Sequence, residues 1–477
     1  MDKNKDSLCG KIVEYGILAL LIFSPLPAAS VNEWSILVIQ LAVFVMLTAY
    51  ILMERRPVNN HILSRSLNWP RYLFIGLFIF LFIQVIPFPK FFVQLFSPGT
   101  YSYEKAFSVD FQTLKFISLS IIPGQTLREA LEILSYFLLG FLIIKTVTAR
   151  QQIMRIFSVL VALGAFEAFY GLFELSNKNP MILFYRKVHT LDSVTGTFVN
   201  RNHFSGYLEM IIPLAIGLII ARIDLFSLSG LKWKQKLLRL SEKGLAVNVL
   251  ITIAIVLMSL GIIFSKSRSG VAILIIAFLL FFELTILYLS ASRQRKKWIR
   301  IFLGSSFLII TILSLYIGIG ATIERFSLDN LLREQRPTYW ANAVRIFSKF
   351  PLSGSGLGTF TSLYPDVEQD GVLVRAFHAH NDYLEYLAEL GLLGMSLLLG
   401  GILFLVIKSF LVWRERRHPE VKGLALGGIV SLIAILIHSL TDFNLHIPAN
   451  MLLFSAVISL TIVASFYKRG EAKARKK

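Results

Sequence analysis

Two arginines and one histidine stand where an apolar chain can least easily carry them. Arg268 lies in Phe264-Ser265-Lys266-Ser267-Arg268-Ser269-Gly270, between two apolar runs with almost no loop between them. A cation at a membrane boundary is costly unless paired or used. A tight, serine-flanked turn carrying Lys266 and Arg268 suits an anion such as phosphate. The plainer reading, equally compatible with charge alone, is that both side chains snorkel to lipid headgroups. Arg336 precedes Pro337, a residue suited to the first turn of a helix that runs on through Trp340 and Ala343. The first amides of that helix would point at an anion beside Arg336. Against this stands a solvated surface helix in which Arg333, Glu334 and Arg336 merely pair by charge.

His380 is followed by Asn381 and Asp382 at the start of another apolar helix. Asn381 or Asp382 can serve as N-cap, and Asp382 with Glu385 fits a capping box. An imidazole fixed at that helix mouth can take a proton from a hydroxyl near neutral pH. A satisfied structural histidine is nevertheless the commoner state of any single His. His378 and His380 share a face of an extended segment, but two ligands without a third at recognisable spacing make a weak metal signal, and no metal is expected. Glu385 and Glu389 fall on the first turns of the helix and suit a polar cavity. Asn200-Arg201-Asn202-His203 and His438-Ser439-Leu440-Thr441-Asp442-Phe443-Asn444 are further polar clusters. Asp442 has the chemistry to orient a histidine, whereas capping is the simpler role for Asn202 and Asn444. Gly354-Ser355-Gly356-Leu357-Gly358 lacks the flanking strand of a phosphate loop and reads as a flexible bend. Gly391, Gly394, Gly400 and Gly401 read as sites of close helix packing.

The elements that must position these residues are membrane spans. The 477 residues are 55% hydrophobic and only 16% charged, with mean hydropathy +0.67, far from the ~25% charged residues of a soluble domain. Apolar runs near the ~20 residues a spanning helix needs occur about twelve times, at 12–29, 34–53, 71–88, 128–147, 153–175, 205–221, 245–264, 269–290, 301–321, 384–411, 423–440 and 449–467. The first is read as a retained helix rather than a cleaved signal. The single Cys9 excludes an internal disulfide and a cysteine metal cluster.

With the N-terminus inside, the inner segments carry most of the 48 basic residues. These include Glu54-Arg55-Arg56, Lys232-Trp233-Lys234-Gln235-Lys236, Arg293-Gln294-Arg295-Lys296-Lys297 and Lys473-Ala474-Arg475-Lys476-Lys477, which predicts two cytoplasmic termini. Charge spread over short inner loops also excludes nucleic acid as the partner of the +19 net charge; anionic headgroups suffice. Six of the 8 histidines (His189, His203, His378, His380, His438 and His446) then fall outside, with His61 and His418 inside. The outer loops include 89–127, 176–204 and the largest, 322–383, which retains enough apolar residues to carry short helices. The expected architecture is a single all-α membrane domain, residues 1–477. Glu14, Glu132, Glu167 and Glu209 inside the spans leave a transporter or flippase as the alternative class.

His380-Asn381, nine residues, then Gly391-Leu392-Leu393-Gly394 resembles the histidine motif of the O-antigen ligase and O-antigen polymerase superfamily. Twelve spans, a large outer loop just before the motif, and arginines at 268 and 336 fit the resemblance, which covers roughly residues 190–450. It implies a GT-C-like, metal-independent, inverting glycosyltransferase without cofactor, acting at the periplasmic face of the bacterial inner membrane. The implied donor is a glycan on undecaprenyl pyrophosphate, and the acceptor a glycan, lipid A core or protein hydroxyl. On this resemblance Arg268 and Arg336 bind the donor pyrophosphate, His380 acts on the acceptor hydroxyl as general base, and Asn381 supports it. Lys266, Arg375, His378 and Asp442 are possible accessory residues.

Overall fold

The structure is a computed structural model and describes residues 3–53, 68–177, 180–222, 243–288, 293–317, 320–325, 327, 335–368, 376–416 and 419–467. His61, His418, Arg333, Glu334, Arg375 and the basic runs at 54–56, 232–236 and 473–477 lie outside the described residues, as do the side chains of the 293–297 run.

The chain is helical almost throughout. Helices α1 (Lys3–Phe23), α2 (Glu33–Leu52) and α3 (Asn68–Val85) precede the short α4 (Lys90–Phe96) and α5 (Pro98–Phe107). Next come α6 (Pro123–Thr146), α7 (Arg150–Leu175), α8 (Arg201–Arg222), α9 (Lys243–Phe264), α10 (Arg268–Tyr288), α11 (Arg293–Ile317) and α12 (Gly320–Glu324). The chain ends with α13 (Arg336–Lys349), α14 (Phe360–Leu363), α15 (Asp382–Glu415), α16 (Pro419–His438) and α17 (Pro448–Phe466). Among the described residues the only strands are two antiparallel pairs, β1 (Phe88–Pro89) with β2 (Phe116–Ile117) and β3 (Met181–Ile182) with β4 (Tyr185–Arg186).

Each of the twelve apolar runs overlaps a described helix. Eight of the described helices, α2, α3, α7, α8, α9, α10, α15 and α17, are long and apolar enough to cross a membrane. α11 and α16 contribute shorter apolar stretches. α1 and α6 are equally long but interrupted by ionisable residues, Lys11 and Glu14 in one and Arg128, Glu129, Glu132 and Lys145 in the other. The protein is an all-helical, polytopic membrane protein.

Helices α8 and α17 form its centre, for every residue from His203 to Ala221 and from Pro448 to Phe466 is buried. α8 meets α16 backbone to backbone: a Cβ on Gly217 would lie 2.4 Å from the Gly423 carbonyl oxygen, and one on Gly427 would lie 2.7 Å from that of Pro213. Small residues permit this approach where lipid offers no hydrophobic drive for association.

α15 is broken near its N-terminal end. Gly391 adopts φ 61°, ψ −172°, a region open essentially to glycine alone. The backbone groups freed by the break are taken up by the 351–356 segment. Leu392 N–H donates to Pro351 (2.9 Å), Leu393 N–H to Leu352 (3.2 Å), Ser355 N–H to Ala388 (3.1 Å) and Gly356 N–H to Glu389 (3.0 Å). Gln84 Nε2, from α3, donates to the carbonyls of both Ser353 (2.7 Å) and Glu389 (3.2 Å). The Gly354–Gly358 stretch is therefore a fixed splice between helix halves and not the flexible bend its composition suggests. Ala343, Ile346, Phe350, Phe360, Leu363 and Ala388 make a second, smaller core that seats α13 and α14 on the N-terminal part of α15.

Candidate active site

Among the helices that begin with an arginine are α8 with Arg201, α10 with Arg268 and α13 with Arg336. All three line one cavity of about 290 Å³, together with Arg325, Tyr339 and His380. Local sequence dictates these starts. Asn200 Oδ1 accepts from Asn202 N–H (2.8 Å), Ser267 Oγ accepts from Gly270 N–H (3.2 Å), and Pro337 occupies the first turn of α13. A cation at a helix N-terminus opposes the macrodipole by ~0.3–1 kcal/mol. Three such placements around one cavity, with a fourth guanidinium added, favour an anionic occupant, since amides and side chains then attract it together.

Asp442 is the hub behind the cavity. It lies in the turn after α16 and is fully buried. Its Oδ2 accepts from Asn202 Nδ2 at 2.5 Å and lies 3.3 Å from an Arg336 guanidinium nitrogen. Its Oδ1 lies 3.1 Å from His380 Nδ1 and 3.6 Å from His203 Nε2, and accepts from Phe443 N–H at 2.9 Å. Burial alone would raise its pKa, but the hydrogen bonds and charges of His203 and His380 hold it well below the usual carboxylate range. Asp442 is thus ionised near neutral pH and fixes the Nδ1 side of His380.

His380 has φ 51°, uncommon for a non-glycine residue. Its carbonyl accepts from Trp340 Nε1 at 3.2 Å, and its ring stacks on Tyr339 with centroids 5.7 Å apart. The ring is 28% exposed and lines the cavity. Asn381 is the N-cap of α15: its Oδ1 accepts from Leu384 N–H (3.1 Å), and its Nδ2 donates to Leu440 O (2.9 Å). It therefore holds His380 through the backbone. Asp382 makes no capping box, because its carboxylate instead accepts from Leu445 N–H (3.1 Å) and sits 2.7 Å from His446 Nδ1.

Of the arginines expected from sequence, Arg268 and Arg336 come together at the cavity with His380. Lys266, in the left-handed region at φ 58°, pairs with Asp192 at 2.8 Å and is not among the lining residues. Arg375 lies outside the described residues. His378 diverges from His380: its Nδ1 lies 2.7 Å from Glu385 Oε1 and its ring stacks on Phe443 at 4.1 Å. Asn202, expected to cap, points instead at Asp442, and Asn444 Oδ1 accepts from Asn450 Nδ2 (3.0 Å). Arg201 and Arg325 were not singled out by sequence. Arg201 stood inside a polar cluster already noted, and Arg325 had only its sign as a signal.

Fold and site together define a polytopic membrane protein with a cationic cavity and a carboxylate-held histidine at one end of its bundle. Residues 253–399 match the O-antigen ligase family, and an enzyme of the ligase or polymerase kind is what that match implies. The matched segment contains Arg268, Arg336, His380, Asn381 and Gly391–Gly394, and ends before Asp442. No match is found among curated proteins.

Proposed function

We propose that the protein transfers a glycan from undecaprenyl pyrophosphate to an acceptor hydroxyl at the periplasmic face of the bacterial inner membrane, with inversion and without a catalytic metal. The observation that carries this reading is the convergence of Arg268, Arg336 and the Asp442-held His380 on one cavity. Nε2 of His380 takes the acceptor proton as the acceptor oxygen attacks the anomeric carbon from the side opposite the pyrophosphate. The bond from that carbon to the pyrophosphate oxygen breaks, and its electron pair leaves with the lipid diphosphate. Guanidinium groups stabilise that departing charge, bidentate contacts suiting phosphate better than lysine would. Arg201 and Arg325 add to the same field.

An apolar groove of about 210 Å³ supports a lipid-tailed donor. It runs along α10 through Val271, Leu274, Ile275 and Phe278 and is closed by Thr322 and Ile323, two residues before Arg325. A ligand anionic at one end and apolar at the other fits cavity and groove together.

The wider reading is a GT-C-like enzyme of about twelve spans with both termini cytoplasmic, an O-antigen ligase-like region over 190–450 and a periplasmic loop over 322–383. Lipid A core, a second lipid-linked glycan and a protein hydroxyl remain the acceptor classes. Transport was motivated by Glu14, Glu132, Glu167 and Glu209. Each has a partner within the protein: Glu14 pairs with the exposed Arg155 (2.5 Å), while Glu132, Glu167 and Glu209 are held by Tyr136 (2.7 Å), Thr197 (2.8 Å) and His438 (2.9 Å), which favours structural roles.

The test is transfer by purified protein from undecaprenyl-pyrophosphate glycan, offered each acceptor class in turn. The acceptor that gains glycan distinguishes ligase, polymerase and protein glycosylase, and added Mg²⁺ or Mn²⁺ leaves the rate unchanged. His380→Ala lowers the rate by ~10²–10⁴-fold with expression and monodispersity retained. Full activity in that variant, or movement of substrate across liposomes with no glycosidic bond formed, overturns the reading.

A further inference from the structure

Beside the arginine cavity, across Phe443, lies a second cluster that the proposed transfer does not use. Glu385 Oε1 is 2.7 Å from His378 Nδ1 and 3.5 Å from His446 Nε2. The three donor atoms lie within 4.8 Å of one another, and Glu385 is buried. His446 is held from behind: its Nδ1 lies 2.7 Å from Asp382 Oδ1 and its ring stacks on Tyr386 at 4.3 Å. Its Nε2 is thereby aimed at Glu385, and that atom is buried without a hydrogen-bond partner. Glu385 Oε2 is occupied by Ala379 N–H at 2.7 Å, leaving Oε1 for the cluster. A carboxylate fixing one ring nitrogen of a histidine while the other faces a convergent donor set is the arrangement that orients metal-bound imidazole.

Charge points the same way. Glu389, one turn beyond Glu385 on the same face, is 1% exposed, and its Oε2 has no hydrogen-bond partner. Glu129 and Glu132 on α6 lie close enough to His446 to interact with it electrostatically. Five carboxyl groups thus lie around two histidines, and buried negative charge there is met by protons or by a cation.

We propose that His378, Glu385 and His446 bind a divalent metal ion of the zinc class, with Asp382 orienting His446. Two imidazoles and one carboxylate form a borderline donor set that suits zinc better than calcium or magnesium. The ion ties the 376–381 segment, which carries His380, to the start of α15 and the turn before α17. It lies outside the arginine cavity and takes no part in the transfer step. The competing counter-charge is a proton on His446. Burial opposes that proton, but Glu385 and Asp382 push the imidazole up to about 10.

The full chain, purified in detergent without chelator, is analysed for metals by mass spectrometry, then stripped and titrated with Co²⁺ while visible absorption is followed. The expected result is stoichiometric zinc-class metal and, on titration, the d–d bands of a histidine-bound Co²⁺. His378→Ala and His446→Ala lose both signals. Asp382→Asn, which can still accept from Leu445 N–H and so preserve the fold, weakens Co²⁺ affinity by ~10–100-fold. His380→Ala keeps the metal. Absence of metal together with absence of Co²⁺ bands, or metal retained at full stoichiometry in His446→Ala, overturns the proposal. Because the readouts are metal content and absorbance, they stand whether or not glycan transfer is observed.

Discussion

The arginine cavity and the Glu385 cluster meet at Phe443, whose ring packs against His378 at 4.1 Å and against His380 at 4.8 Å. They gather opposite charge by different means. Positive charge reaches the cavity from three separate helix beginnings far apart in sequence, and the cavity is open enough to leave His380 28% exposed. Negative charge reaches the cluster mainly from the first two turns of α15, and Glu385 and Glu389 are buried there. An open excess of charge awaits a mobile ligand, whereas a closed excess must be countered from within. The histidines divide by partner, His380 facing the arginine cavity and His378 and His446 facing the buried carboxylate of Glu385.

The sharpest way to break this division is at Asp442, whose carboxylate touches His380 and Arg336 and none of His378, Glu385 and His446. Asp442→Asn removes the charge behind His380 and Arg336, and transfer falls by ~10²–10⁴-fold in the glycan assay, while metal content stays at the wild-type level. On the closed side the critical residue is Gly391. An alanine Cβ there would lie 2.4 Å from Gly354 N and 2.4 Å from Leu352 O, in a conformation closed to side chains. Gly391→Ala destabilises the fold by ~3 kcal/mol or more, seen as a large drop in the melting temperature of detergent-solubilised protein.

The open side makes a further, two-signed prediction. Arg268→Gln removes a charged contact to the donor and lowers transfer by roughly 10- to 100-fold. The same change relieves a cation at a helix N-terminus and raises the stability of the ligand-free protein by ~0.3–1 kcal/mol. A melting temperature that falls with activity would mean that Arg268 serves the fold instead of the ligand. The smallest effect is on pH dependence. The folded-state pKa of Asp442 is depressed, so its stabilisation is complete above the unfolded value of ~3.9 and is lost as pH falls through the folded value. Melting temperatures below pH ~4 therefore decline less steeply in Asp442→Asn than in the wild type.

The apolar runs were legible because lipid demands long apolar helices, and eight of the described helices are long and apolar enough to cross a membrane. Arg268, Arg336 and His380 were legible because ionisable residues at apolar boundaries are rare enough to stand out. Two things were hidden. The partners of a histidine depend on tertiary fold: Asp442 is 62 residues from His380, and Glu385 only seven from His378, yet no spacing rule separates the two pairings. The break at Gly391 was hidden for a different reason. Gly391 to Gly394 reads as a helix-packing pattern, and Gly394 does lie close to the Phe80 ring, but the orphaned backbone groups at Gly391 are satisfied by a loop that sequence periodicity cannot locate.

That splice also dictates an order of assembly. The groups that complete the break come from α3 and from the 351–356 segment, 305 residues and a few dozen residues before Glu389 respectively. Unpaired amides and carbonyls are intolerable in hydrocarbon, so the N-terminal part of α15 can settle only after α3 and the loop are both in place. The other spans can form first, as apolar helices that need no such partner. His380, Asn381 and the carboxylates at the start of α15 are therefore brought to their positions last.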